Sequence, residues 1–343
     1  MKRLVLIGAG HAHLVVLRSL AEKPLYGTRI ALVTPHAKQV YSGMLPGILA
    51  GHYRRAEAEI NVAELAERGY VEFVQGRVCG IDPDGTSVSL ENGASAGYDF
   101  ASINAGSLVD DASLAGAELA LPVKPYDQFL SGLHIAERIA IVGAGAAGAE
   151  IAMAMRHRGA EVTLYSDKPS ISERVVKQLR RRKVDYRPGM PATAIEPGPV
   201  VIAGSAHQEF DRVLLATGAV PLPWLRQSGL RTDQRGFVLV DRALRSISHP
   251  NVFALGDCAT LGDSPHPKSG VYAVRHGETL IENLRHLVAG AALEPYTPQK
   301  ESLALITCGA RYAIAERGAW SAQGRWVWWW KDRIDRRWMR SFL

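Results

Sequence analysis

The sequence is poor in cysteine. Cys79, Cys258 and Cys308 are the only three in 343 residues. Their wide spacing neither ligates zinc nor frames a disulfide scaffold. Three scattered thiols fit a reducing, cytoplasmic setting. Long apolar runs are also lacking: none approaches the ~18 residues that span a bilayer. Met1–Leu6 carries two positive charges and then apolar residues, but Gly8, Gly10, His11 and His13 interrupt it too early for a secretory signal. Long runs of one charge are absent too. Basic residues cluster only at Arg180–Lys183 and at the C-terminus, so no nucleic-acid partner is expected. His11 and His13 lie two apart with no carboxylate companion, so no metal site is expected either. The net charge of +6 is mild. It suits anionic cofactors or an anionic membrane surface.

What the chain does have is glycine, 33 residues of it, and two stretches built alike. RLVLIGAGHAH (3–13) and IAIVGAGAAGAE (139–150) each place a glycine turn after a short apolar run. A strand buried on both faces reads this way. The first turn leads into a helix over about 11–21 and a strand over 29–34, a βαβ unit of mononucleotide-fold size. Strands over 70–76 and 87–91 follow, and YDFASINAG (98–106) closes the block. The second block repeats the order: strand 138–142, turn 143–148, helix 149–158, strand 161–165 and the closing FDRVLLATG (210–218). NVFALGDCA (251–259) reads as one more apolar strand with a polar tip. A helix over about 270–288 and a tail of about fifty residues finish the chain.

Gly143, Gly145 and Gly148 fit G-x-G-x-x-G. The first glycine permits the tight turn, the second lets backbone approach a pyrophosphate, and the third lets the helix pack close to the sheet. The phosphate then meets free N–H groups at a helix N-terminus. The first turn has Gly8 and Gly10 but His13 where the third glycine would stand. His13 therefore requires the helix to stand off the sheet, or to face a ligand. An acid after the second strand ordinarily holds a ribose. The first block has Thr34-Pro35 there and the second has Asp167-Lys168. Asp167 suits an NAD ribose and Lys168 a 2′-phosphate, so NADH and NADPH both stay open.

The order of GAGHAH (8–13), GAGAAGAE (143–150), LLATGAVP (214–221) and LGDCA (255–259) resembles the two-dinucleotide flavoproteins of the pyridine nucleotide–disulfide oxidoreductase superfamily. The segments VYSGMLPGILAGHY (40–53), LPVKPYDQFL (121–130) and HPKSGVYAVRHGETLIENL (266–284) are similar to type II NADH dehydrogenases. They are most similar to the flavoprotein associated with selenide, water dikinase. The resemblance implies an α/β fold of two Rossmann-like domains, the NAD(P)H domain inserted in the FAD domain. The FAD domain would take 1–122 and 236–291, the NAD(P)H domain 123–235, and a C-terminal segment 292–343. No C-x-x-x-x-C lies where disulfide reductases carry one.

The resemblance implies FAD at Gly8, Gly10, His11 and Ala12, with Thr34 and Pro35 after the second strand. Asn104, Ala105 and Gly106 replace the A-T-G of many relatives at the first closing turn. Gly256 and Asp257 would meet the ribityl or phosphate region of FAD. NADH or NADPH would lie on Gly143, Gly145, Gly148 and Asp167, near Thr217 and Gly218. Glu150 would near the nicotinamide and flavin, or is a helix-start carboxylate favoured by the macrodipole. Lys268 and Lys124 would stabilise negative charge on a reduced flavin, or are solvated lysines. Cys258 reads as a small buried residue under the cofactor. The implied activity is hydride transfer from nicotinamide to flavin, with electrons leaving to a quinone. Selenium or sulfur redox chemistry supporting selenophosphate synthesis, with selenide, water dikinase as partner, is one alternative. A low-turnover flavin-bearing partner or sensor is the other.

The tail ends RWVWWWKDRIDRRWMRSFL (325–343). Trp326, Trp330, Ile334, Trp338 and Phe342 recur at i+4 and predict one slowly drifting apolar stripe of a helix. Cationic helices with Trp anchors lie in membrane interfaces, and a stripe can equally pack on protein. The expected location is cytoplasmic, with peripheral contact to the inner face of the membrane. The quinone pocket is expected around 41–46 and the tail.

Overall fold

The computed structural model describes residues 1–134, 136–169 and 171–343. The run Leu4–Ile7 is buried within a strand spanning Lys2–Ile7. Thr28–Thr34 and Phe100–Ile103 flank it, both parallel. Glu72–Gln75 extends one edge and Val252–Ala254 the other, so the sheet is completed by a strand from far down the chain. Leu4–Ile7 and Val252–Ala254 are buried throughout and are continuously apolar rather than alternating, whereas the edge strand Glu72–Gln75 is exposed at both ends.

A second five-stranded parallel sheet is built alike. Its order is Leu121–Pro122, Arg212–Leu215, Arg138–Val142, Glu161–Tyr165 and Asp185–Arg187. Helix α1 (His11–Glu22) follows the central strand of the first sheet, and α2 (Ala146–His157) follows that of the second. The linking turns pass through Gly8 at φ +84° and Gly143 at φ +107°. Side chains rarely adopt such conformations, which is why glycine stands at both.

Helix α3 (Gly270–Ala289) lies across α1. A Cβ at Gly277 would come 2.4 Å from the Ala12 carbonyl oxygen, so the closest helix approach here uses a glycine of α3. The two passages between the sheets run side by side, Leu108–Val109 pairing antiparallel with Ala219–Val220. The tail is not only a helix. Ala304–Thr307, Ala313–Arg317 and Trp320–Gly324 form an antiparallel sheet ahead of α4 (Arg325–Arg340).

The drifting apolar stripe expected on α4 turns inward towards its C-terminal end. Trp326 is 57% exposed and Ile334 39%, while Phe342 is buried and Trp338 packs on the first core. An i+4 step overshoots a full turn by about 40°, so four steps carry the stripe roughly 160° around the helix. The buried face holds Val327 and Trp328 together with Lys331, Asp332 and Asp335. Among the described residues, no helix is long and apolar enough to cross a membrane.

Candidate active site

A cleft of about 640 Å³ opens at the C-terminal edge of the first sheet. Gly8, Gly10 and His11 form its floor. No side chain fits at either glycine: a Cβ on Gly8 would lie 2.6 Å from the Ala105 Cα, and one on Gly10 2.4 Å from the Asn104 Oδ1. Asn104 is buried and ties three segments together. Its Oδ1 accepts the N–H groups of Ala12 (3.0 Å) and His13 (3.2 Å), and its Nδ2 donates to the Leu255 carbonyl (3.0 Å). The departure from A-T-G thus serves as a helix cap reached from another strand. Ala12 is buried and its N–H is occupied, whereas His11, the first residue of α1, lines the cleft.

His13 is buried and does not line the cleft. Its Nδ1 lies 2.6 Å from the Gly8 carbonyl oxygen and its Nε2 2.7 Å from Ser102 Oγ, so the ring bridges turn and sheet. Burial pushes its pKa down to about 4. Thr34 and Pro35 line one end of the cleft; Asn104, Ala105 and Gly106 line the adjoining wall.

Asp257 and Lys124 meet at 2.7 Å in the cleft wall, and Ser107 Oγ donates to the same carboxylate oxygen at 3.1 Å. Burial alone would raise the Asp257 carboxyl; the Lys124 ammonium and these hydrogen bonds hold it below the ordinary value. Gly256 lies behind, its N–H donating to His276 Nδ1 at 3.0 Å. Lys268 lines the cleft, but its ammonium is bonded to the Ala259 carbonyl and to Thr260 Oγ1 (3.0 Å) and lies 4.2 Å from the Phe237 ring centroid. Burial lowers its pKa to about 8.

The second turn lies at the same edge of the second sheet. The Gly143 N–H donates to the Tyr165 carbonyl at 3.0 Å, which brings the exposed Asp167 beside the turn. A Cβ on Gly148 would lie 1.8 Å from the Gly143 carbonyl oxygen, so turn and helix touch through bare backbone. At Gly145 nothing lies within 4 Å of a Cβ position, and the turn is open there. Thr217 donates to the Asp110 carbonyl, and the Asp110 N–H donates to Gly218 O at 2.7 Å. The closing turn of the second block is therefore fastened to the passage between the sheets.

Glu150 does not line the cleft. Its Oε1 accepts the N–H (2.7 Å) and hydroxyl (2.9 Å) of Thr307 in the tail sheet. Burial raises its carboxyl, and the nearby Lys331 ammonium works against that rise. Lys331 is itself buried, bonded to the Gly43 carbonyl and to Asp335, and Asp335 accepts the Tyr41 hydroxyl at 3.3 Å. Helix α4 thus covers the 41–46 segment and brings Trp338 against His11, ring centroids 6.4 Å apart. The sequence signal for this cluster was the i,i+4 pair Lys331 and Asp335, which helical spacing alone assigns to a solvated face. Tyr126, which lines the cleft beside Lys124, carried no sequence signal.

Among the described residues no group of three or more His, Cys, Asp or Glu could hold a metal ion. The three cysteines are free. Burial pushes the Cys258 and Cys308 thiols up to about 12. Both stay protonated near neutral pH, so neither is an activated nucleophile.

The model of the pyridine nucleotide-disulphide oxidoreductase family matches residues 2–277. A nitric oxide reductase FlRd-NAD(+) reductase of Aeromonas salmonicida is 28% identical over 282 residues, 75% of this chain and 71% of that one. An NADH dehydrogenase-like protein of Mycobacterium tuberculosis is 28% identical over 315 residues, 82% of this chain and 78% of its own. Among solved structures, the sulfide:quinone oxidoreductase of Aquifex aeolicus superposes with a TM-score of 0.82 at 16% identity, over 100% of this chain and 91% of that one. NDH2 of Plasmodium falciparum, solved with NADH, gives 0.82 at 13% identity, over 98% and 97%. At such identities the structural likeness speaks for the fold. With the family match over most of its length, this chain belongs to the pyridine nucleotide-disulphide oxidoreductases, Rossmann-fold flavoproteins that use FAD and NAD(P)H.

Proposed function

We propose that this chain is an FAD-dependent NAD(P)H dehydrogenase that delivers electrons to a quinone. The observation that carries the reading is the contrast between the two glycine turns. The first opens onto a walled cleft of about 640 Å³; the second is open at Gly145. A resident dinucleotide needs enclosure, and an exchanging one needs access.

The first cleft fits FAD. Gly8 and Gly10 leave backbone bare for a pyrophosphate, and the His11 N–H meets it at the N-terminus of α1. Thr34 and Pro35 would hold the adenosine end. The charged trio of Asp257, Lys124 and Ser107 would hold the ribityl hydroxyls. FAD supplies the hydride and electron chemistry when bound. The N–H groups of Ala146, Ala147 and Gly148 stand in the first turn of α2, where no intrahelical acceptor exists. They would hold the pyrophosphate of NAD(P)H, with Asp167 beside its ribose.

A quinone needs protons as well as electrons. Glu150 and Asp335, both raised by burial, flank Lys331 beneath the 41–46 segment, and this cluster would retain and hand on protons. The protonated thiols disfavour a sulfur-centred route. The exposed Trp326 and Trp329 on cationic α4 suit a bilayer surface, where a lipid-soluble acceptor resides.

Anaerobic titration of the yellow protein with NADH and then NADPH tests the reading. Flavin bleaching within seconds is expected, then reoxidation by a short-chain quinone. A flavin that stays oxidised with both nucleotides overturns it.

A further inference from the structure

A second cavity, of about 670 Å³, lies where the C-terminal ends of α2 and of the helix Glu173–Arg181 meet the tail sheet. It is separate from the first cleft. Helix α2 is 12 residues long and its other end carries the second glycine turn, which puts the two roughly 18 Å apart.

Six of its eight lining residues are five arginines and one histidine, Arg156, Arg181, Arg182, Arg311, Arg325 and His157; Ala310 and Tyr312 complete the lining. No lining residue is acidic. None of the five arginines has a carboxylate partner within ion-pair distance among the described residues. Arginines elsewhere in the molecule commonly do, as Arg138, Arg174, Arg187 and Arg336 show. Cations at helix C-termini offset the macrodipole, but two helix ends carry together only about one negative charge. Five guanidiniums exceed that several-fold, so the helix ends do not account for them.

Three of the guanidiniums are held in place by neutral groups. Arg182 donates to the Cys308 carbonyl and to Gln178 Oε1 (2.5 Å) and lies 5.4 Å from the Tyr312 ring centroid. Arg156 donates to the Ala160 carbonyl at 3.0 Å. Arg311 lies over the rings of Trp328 and Trp329, at 5.4 and 5.6 Å. Each keeps its charge uncompensated and part of its donor fork unused. Burial and the neighbouring His52, Arg182 and Arg158 lower the His157 pKa and favour its neutral ring, so every lining cation is arginine, the side chain whose planar fork matches phosphate oxygens in pairs. A carboxylate offers two oxygens and saturates one fork. A phosphate group with three oxygens satisfies several forks at once.

We propose that this cavity is a binding site for a phosphate-bearing anion of two or more charges, independent of the dinucleotide sites. The phosphate can come from a soluble polyphosphorylated molecule or from an anionic lipid headgroup, since Arg311 and Arg325 border the exposed Trp326 and Trp329.

The test uses the full-length flavin-loaded protein and two probes. Sodium tripolyphosphate is titrated calorimetrically at low salt, and vesicles of phosphatidylglycerol and phosphatidylcholine are co-sedimented. Arg181→Glu and Arg325→Glu alter exposed side chains without partners, so the fold is retained. Arg231→Glu makes the same charge change outside the cavity. Saturable tripolyphosphate binding is expected, roughly tenfold weaker in each cavity variant and unchanged in Arg231→Glu. Vesicle binding that follows the same pattern and is displaced by tripolyphosphate identifies the lipid as the source. Tripolyphosphate binding without such displacement identifies a soluble ligand. Absence of saturable tripolyphosphate binding, or equal weakening in Arg231→Glu, overturns the proposal.

Discussion

His13 stands where the second turn has Gly148, and its enclosed ring makes a pH-dependent contribution to stability. Its folded pKa is about 4, against about 6.5 in an unfolded chain. Between those values the unfolded chain binds a proton that the folded one refuses. The contribution is therefore complete above pH 6.5 and is lost progressively as pH falls to 4. Its size is about 3 kcal/mol. His276, pushed down to about 3 by burial and by its neighbours His266 and Lys268, adds to the same acid window. His13→Gln keeps a hydrogen-bonding side chain with no proton to gain. Thermal unfolding followed from pH 7.5 to 4 should decline less steeply in His13→Gln than in the parent. Parallel declines would show that another group sets the acid limit. The sequence pointed to position 13 because a glycine is missing there. It did not reveal that Ser102, a strand away, would take the ring's second nitrogen.

Among the elements, α4 was the least legible. Its helical spacing and its charge were plain, but which face turns inward depends on what waits beneath. That is the 41–46 segment and Tyr53, whose hydroxyl donates to Asp332 at 2.7 Å. Polar partners there make an ionic face the buried one. The short strands ahead of α4 were equally hidden. AIAER and WSAQG carry little alternation, and they are recognisable only through their pairing and the turn at Gly318 (φ +54°). The glycine turns, by contrast, were legible, because a positive φ is a local demand that only one residue type meets readily. The buried pair on α4 gives the test at this scale. Removing one partner of a buried ion pair strands the other charge, and that costs about 3–5 kcal/mol. Lys331→Met should lower stability by that order in chemical denaturation. Lys331→Met with Asp335→Leu should recover most of it, since no lone charge then remains. A double variant as unstable as the single one would mean that the Gly43 and Tyr41 contacts, rather than charge balance, hold the helix down.

At the scale of the molecule, the order of motifs was readable because each block carries its own local signals. The clasp between blocks was not. Lys124 lies beside the second sheet's first strand, and its partner Asp257 follows the first sheet's last strand. Only the completed fold brings them together. The same architecture separates two functions that a single substitution can divide. At the exposed Gly145 a Cβ meets no atom within 4 Å, and φ is −62° at this N-cap position, where aspartate is favoured, so Gly145→Asp is tolerated by the fold. On the proposed function, it nevertheless places bulk and negative charge where the NAD(P)H pyrophosphate would approach backbone. At Gly10 a Cβ would strike the Asn104 carboxamide that caps α1, so Gly10→Ala strains the first cleft itself. Gly145→Asp should therefore retain its flavin and its melting temperature while losing at least roughly tenfold in the rate of flavin reduction at subsaturating NADH. Gly10→Ala should lose flavin during purification. Photochemical reduction, which bypasses the nicotinamide, should bleach the Gly145→Asp flavin as readily as the parent's. If Gly145→Asp instead emerges colourless, the two glycine turns do not act as separate sites, and the assignment of one dinucleotide to each sheet fails with it.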